Sequence, residues 1–181
     1  RRSRDFQFER LDLRHLAELA AEALNRPGTV SRLHLVMPPL PVWVDGDATK
    51  LRQAIANVLS NAMKFSSPPS AVSLSIETLG AEHERDAVLR VVDAGIGMTA
   101  EQCQRAFERF YRADPSGNIL GAGLGLSIVK EVVELHRGSV ALHSTPGAGT
   151  QVTLRLPLKP APPLAPEAGG DAPAEAEASS A

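Results

Sequence analysis

The stretch Asp47-Ala48-Thr49-Lys50-Leu51-Arg52-Gln53-Ala54-Ile55-Ala56-Asn57-Val58-Leu59-Ser60-Asn61-Ala62-Met63-Lys64-Phe65 is patterned as one helix with two different faces. Leu51, Ile55, Val58 and Ala62 fall on one side, and Asn57, Asn61 and Lys64 on another roughly 120° away. Asparagine is an indifferent helix former, costing about 0.7 kcal/mol against alanine. Two of them four residues apart, bordering an apolar face, point to a task at the edge of a cleft, although this helix alone also fits a solvated polar stripe. Magnesium takes oxygen ligands and keeps several waters, so a single amide oxygen can join phosphate oxygens around it. A lysine one turn further on can meet phosphate charge.

Two glycine-rich turns follow. Asp93-Ala94-Gly95-Ile96-Gly97 ends an apolar run, Val88 to Val92. Its glycines let the backbone come close to a flat ligand. Asp93 is an acceptor-only group when ionised, which suits the 6-amino donor of adenine better than the carbonyl of guanine. Gly121-Ala122-Gly123-Leu124-Gly125 opens a second strong helical pattern, Leu124 to Leu135, where free N–H groups and the helix dipole favour phosphate. The spacing is not that of a dinucleotide-binding fingerprint, because the third glycine falls one residue early and no strand precedes it. No Gly-Lys-Ser or Gly-Lys-Thr occurs, which excludes a P-loop. Between Phe107 and Leu124 runs a long irregular stretch of the kind that forms lids and binding loops. Phe107, Phe110 and Tyr111 are placed to anchor its base, with Arg112 directed at phosphate.

The remaining pattern interleaves helices and strands. Leu13 to Leu24 reads as an amphipathic helix. Leu33 to Val36 and Val42 to Val44 read as short strands around a proline-rich turn. Val72, Leu74 and Ile76 alternate with polar residues as a half-buried strand. Thr99 is positioned to cap a short helix reaching Phe107. His136, Arg137 and Gly138 close the Leu124 helix in the manner of a C-cap. Val140 to His143 and Val152 to Leu156 are the last strands, joined by Thr145-Pro146-Gly147-Ala148-Gly149. Several strands are hairpin-linked, which favours an α+β domain with helices on one face of a mixed sheet.

At 181 residues the chain suits one domain. We place a linker remnant at 1–7, the domain at 8–157 and, at 158–181, a tail too rich in Pro, Ala, Gly, Glu and Ser to offset its ordering entropy. A net charge of −2 makes no electrostatic case for nucleic acid or an anionic membrane. The single cysteine, Cys103, excludes an internal disulfide and a multi-cysteine metal site. No apolar run approaches the roughly 20 residues of a membrane span, so the expectation is a soluble, cytoplasmic chain, with anchoring of a parent protein in the inner membrane left open.

In this order the motifs, covering about Phe8 to Pro157, resemble the catalytic and ATP-binding domain of bacterial sensor histidine kinases. That domain belongs to a superfamily shared with gyrase, the ninety-kilodalton heat-shock chaperone and mismatch-repair ATPases. Asn57–Phe65 looks like its N box, Phe107–Tyr111 like its F box, and Asp93–Gly97, Gly121–Gly125 and Gly147–Thr150 like its glycine boxes. The resemblance implies a Bergerat-type two-layer α/β sandwich, a mixed sheet of about five strands under three helices, binding ATP and Mg2+. It implies Asn61 as the magnesium ligand and Asn57 as a polar neighbour of the phosphates. Lys64 and Arg112 would contact the phosphate tail. Asp93 would hold the adenine amine, with Thr150 supporting it through a water. Phe65, where the family commonly has tyrosine, would pack on the base. Gly95 and Gly97 would shape the base pocket, and Gly121, Gly123, Leu124 and Gly125 the hinge and phosphate contact.

Hydrolysing relatives resemble one another in a glutamate where this chain has Asn57, which cannot act as a general base at neutral pH. The resemblance therefore favours transfer of the γ-phosphoryl group to a histidine on a separate dimerisation domain, and onward to a response regulator. None of His15, His34, His83, His136 and His143 has the His-Glu/Asp-x-x-x-Pro setting of a phosphoacceptor. The expectation is a kinase core without its acceptor domain that does not label itself. A nucleotide-sensing module without chemistry and an anti-sigma-factor-type serine kinase are the alternatives.

Overall fold

The computed structural model describes residues 6–25, 32–111 and 125–165. Strands β1 (Glu9–Asp12), β2 (Leu33–Val36), β3 (Trp43–Gly46), β4 (Val72–Ala81), β5 (Glu84–Asp93), β6 (Ser139–Thr145) and β7 (Gly149–Pro157) alternate with helices α1 (Leu13–Glu22), α2 (Ala48–Phe65), α3 (Ala100–Arg105) and α4 (Gly125–Leu135). Five strands form a mixed sheet in the order β2-β4-β5-β7-β6, with only the β2–β4 pair parallel. The α+β class with a five-stranded mixed sheet is as expected.

Helix α2 is the spine of the second layer, packed between α1 and α4 and onto β4 and β5. It starts where Asp47 takes an extended conformation and its carboxylate accepts the Lys50 N–H at 3.0 Å, satisfying one of the donors a helix start leaves free. It stops at Ser66, whose hydroxyl donates to the Ala62 carbonyl at 2.6 Å. Leu51, Ile55, Val58 and Leu59 are fully buried, each worth about 1.5–3 kcal/mol in water-excluded apolar surface. The remaining interior is aliphatic too, from Leu13 and Leu16 on α1 to Val129 and Val133 on α4.

Strand alternation decides which residues meet these helices. Ile76, Leu89, Leu154 and Val140 make one row across the buried face, and Leu74, Val91, Val152 and Leu142 the next. The row after that changes character: Val72, Asp93, Thr150 and Ser144. The apolar face of the sheet thus ends in three polar side chains, side by side.

Several local expectations need correction. The short strand expected at Val42 to Val44 forms as Trp43–Gly46, but it pairs antiparallel with β1, a strand too short and mixed in pattern to stand out in the sequence. Helix α4 does close with a C-cap, but Arg137 takes the left-handed conformation (φ 60°). The Gly138 N–H then bonds the Val133 carbonyl at 2.9 Å and the Arg137 N–H the Glu134 carbonyl at 3.0 Å, a Schellman closure. Gly138 serves a different need, because a Cβ there would lie 2.1 Å from the Arg155 carbonyl oxygen. Beyond the boundaries set from composition, Gln7 donates its N–H to Asp47 at 3.0 Å, and Leu158 and Lys159 bond the carbonyls of Arg85 and Trp43 at 2.9 and 2.8 Å.

Candidate functional site

The polar row is built by the ends of three strands and the two turns beside them. Asp93 is buried, and its Oδ1 accepts the Gly95 N–H at 2.9 Å. Desolvation pushes the Asp93 carboxyl above the usual carboxylate range, against the pull of N–H groups from Gly95 and Thr150. A carboxylate kept in so dry a place has acceptor capacity beyond these N–H groups, which suits a ligand that donates.

The turn after Asp93 is clamped from both sides. Ile96 donates its N–H to the Phe65 carbonyl at 3.1 Å, tying the turn to the last residue of α2, and accepts the Gly147 N–H at 2.7 Å. A Cβ on Gly95 would fall 1.9 Å from the Phe65 carbonyl oxygen. Gly97 has φ +67° and would place a Cβ 1.9 Å from the Thr145 carbonyl oxygen. Both positions therefore exclude any side chain. In the sequence Gly95 and Gly97 read as freedom to approach a ligand. In the structure they first allow three pieces of backbone to converge.

Across the site, Asn57 and Asn61 lie half-buried on α2, Lys64 is exposed in its last turn and Phe65 is half-buried at its end. Gly125, the first residue of α4, faces the Asn61 amide: a Cβ there would stand 3.4 Å from Nδ2 and 3.5 Å from Oδ1. The amide stripe of α2 is thereby set against the start of the helix that the second glycine run opens. One neutral amide oxygen and no clustered carboxylates suit a magnesium ion held mainly by phosphate oxygens and water. Among the described residues no three His, Cys, Asp or Glu side chains gather into a metal site. Arg112, Gly121, Gly123 and Leu124 lie outside the described residues.

The base of the long loop differs from expectation. Phe107 packs against the core with the Lys130 ammonium 5.9 Å from its ring, and Tyr111 lies under the Arg105 guanidinium at 4.4 Å. Phe110 is not buried at that base: it takes φ 63° and is 73% exposed. Arg109 pairs with Glu131 on α4 at 3.0 Å.

Ser144 was not singled out in the sequence. Its hydroxyl accepts the Met98 N–H at 2.8 Å, donates to the Gly149 carbonyl at 2.9 Å and meets Thr150 Oγ1 at 2.8 Å. The available signal was strand parity, since Val140, Leu142 and Ser144 share one face of β6.

A sheet layered under helices, with a dry polar row and a glycine-clamped turn at one end of its buried face, is the build of a small-ligand-binding α+β domain. The chain belongs to the histidine kinase-, DNA gyrase B- and HSP90-like ATPases, whose family model matches residues 46–160. The sensor histidine kinase WalK of Bacillus subtilis is 32% identical over 163 residues, 87% of this chain and 26% of that protein. The sensor-like histidine kinase SenX3 of Mycobacterium tuberculosis is 43% identical over 121 residues, 66% of this chain and 28% of that protein. The chain thus spans only about a quarter of the length of these relatives. Among solved structures, the mycobacterial sensor histidine kinase MprB superposes with a TM-score of 0.71 at 29% identity, covering 86% of this chain and all of that one. The catalytic domain of histidine kinase ThkA, in a nucleotide-free form, shares the fold with a TM-score of 0.69 at 18% identity, over 83% of this chain and 95% of its own.

Proposed function

We propose that this domain works in the cytoplasm, where it binds ATP with Mg2+ and presents the γ-phosphoryl group to a histidine on the dimerisation domain of its parent sensor kinase, from which it passes to a response regulator. The observation that carries the reading is the row of buried Asp93 and Thr150 and half-buried Ser144 beside the clamped turn, in a chain whose relatives are sensor histidine kinases. Asp93 accepts the amino group of adenine, Thr150 supports it through a water, and Phe65 packs on the base. Gly95 and Gly97 hold the turn that shapes this pocket. Asn61 is the protein's ligand to the magnesium ion, with Asn57 beside the phosphates and Lys64 and Arg112 along the phosphate tail. Gly121, Gly123, Leu124 and Gly125 serve the phosphates, which the free N–H groups and dipole of a helix start favour. Magnesium would supply charge neutralisation on the phosphates.

Catalysis in such a site is positioning and electrostatics, since the incoming imidazole is the nucleophile. Asn57 has no basic lone pair at neutral pH and does not activate water, so hydrolysis is not favoured. Of this chain's own histidines, His136 is buried at the end of α4 with both ring nitrogens engaged, Nδ1 to the Val132 carbonyl and Nε2 to the Asp47 N–H. Incubating the chain with γ-labelled ATP, alone and with the parent protein's histidine-bearing domain, tests the reading. Acid-labile, base-stable label on the added domain is expected. Label kept by the chain alone, or rapid release of free phosphate, would overturn it.

A further inference from the structure

Ser144 meets three partners with one hydroxyl, and the count of its protons and lone pairs settles what Thr150 can do. A serine hydroxyl has one proton to donate and two lone pairs with which to accept. The Met98 N–H, 2.8 Å away, takes one lone pair. The Gly149 carbonyl, at 2.9 Å, can only accept, so it takes the proton. What remains for the contact with Thr150 Oγ1 at 2.8 Å is the second lone pair. Were the proton turned toward Thr150 instead, the Ser144 and Gly149 oxygens would face each other with no hydrogen between them. All three contacts are satisfied only when Thr150 donates to Ser144.

The Thr150 proton is therefore committed sideways along the row, and the hydroxyl offers only lone pairs elsewhere. Its cross-strand neighbour on the other side is Asp93, an acceptor-only carboxylate when ionised. The wall made by these two residues can receive hydrogen bonds and has no side-chain hydrogen to give. We propose that Ser144 is a positioning residue for nucleotide selectivity: by fixing the Thr150 hydroxyl as an acceptor, it makes the pocket wall accept an amino-bearing base edge, directly or through a water, and refuse a carbonyl there. This rests on the adenine-pocket reading above and adds to it the residue that sets the polarity of the wall.

The same hydroxyl ties together the turn after Asp93, through Met98, and the start of β7, through Gly149. Loss of Ser144 could thus act simply by loosening the pocket, and the test separates the two roles. Titration calorimetry of the full chain with Mg-ADP and with Mg-inosine diphosphate, which carries a carbonyl in place of the amino group, gives a ratio of affinities. The comparison needs wild type, Ser144→Ala, Ser144→Thr, Thr150→Val and the double variant Ser144→Ala/Thr150→Val. In Ser144→Ala the Thr150 proton is free to turn toward the ligand, so preference for ADP should shrink by about fivefold, the worth of one neutral hydrogen bond. Ser144→Thr keeps the hydroxyl and should restore the preference. In the Thr150→Val background the further change Ser144→Ala should leave the ratio untouched, whatever it does to thermal stability. A ratio that is unmoved by Ser144→Ala, or that moves equally without Thr150, overturns the proposal while ADP binding by wild type leaves the ATP reading standing. Wild type binding neither nucleotide would sink both.

Discussion

Asn61 and Gly125 face each other where α2 and α4 pack together, the missing Cβ of Gly125 leaving a space 3.4 Å from the Asn61 amide nitrogen. An amide near the C-terminal end of one helix thus meets the first residue of the next, where unpaired backbone N–H groups are concentrated. Metal and phosphate recognition would meet at this point. If Asn61 is the magnesium ligand proposed above, Asn61→Ala should keep the base contacts while removing the ion's protein ligand. Phosphotransfer to the added histidine domain should fall far more than ADP affinity does. Equal losses in a filter-binding and a phosphotransfer assay would mean that Asn61 is only structural.

Asp93→Asn should weaken ATP binding by roughly 1–3 kcal/mol, the range for a hydrogen bond to a charged group. Calorimetry checks this, and unchanged affinity would remove Asp93 from the site. The same variant has a pH signature. Desolvation, only partly offset by the Gly95 and Thr150 N–H groups, holds the folded-state carboxyl above its ordinary value of 3.8. The folded state then keeps its proton longer than the unfolded state. Wild-type stability should fall as pH rises from 3.8 through the raised value. The nucleotide-free asparagine variant lacks this term, so its stability should gain on wild type across that window in denaturant titrations.

The two helix-facing glycines should respond differently to a methyl group. Gly95→Ala would drive a Cβ to 1.9 Å from the Phe65 carbonyl oxygen, backbone that cannot step aside. We expect a loss of about 1–3 kcal/mol of stability, as for overpacking, together with loss of nucleotide binding. Gly125→Ala meets only ordinary contact at 3.4 Å, so its melting temperature should stay near wild type. Thermal melts of both variants decide, and a Gly95→Ala protein as stable as wild type would refute the clamp.

A different pH dependence should come from His136. Burial lowers its pKa from 6.5, and Asp47 is the charged partner that opposes the shift. The unfolded state therefore binds more protons once pH drops below 6.5, and stability should be lost as pH falls from there through the lowered folded value. Phe8 stacks on this ring at 5.0 Å and Phe6 meets its edge at 5.9 Å, so loosening should begin at residues 6–8. Melts between pH 5 and 7.5 should show the slope, and His136→Gln should flatten it. A slope that persists in the variant would assign it elsewhere.

Much of this molecule follows from local pattern. The stripes of α2, the alternation in β4 and β5, Thr99 at the head of α3 and the Asp-x-Gly-x-Gly turn are short-range signals, because helix and strand periods place side chains before any partner is known. The motif order, read the same way, led to the family. Tertiary structure decided the rest. Only strand register aligned Asp93, Thr150 and Ser144 from three separated segments, and only the meeting of Phe65 with Gly95 turned a permissive glycine into an obligatory one. The same holds for β1, which exists as a strand because β3 supplies its hydrogen bonds. Periodicity is a property of neighbours along the chain; a site made of side chains 50 residues apart is written in how the strands pair.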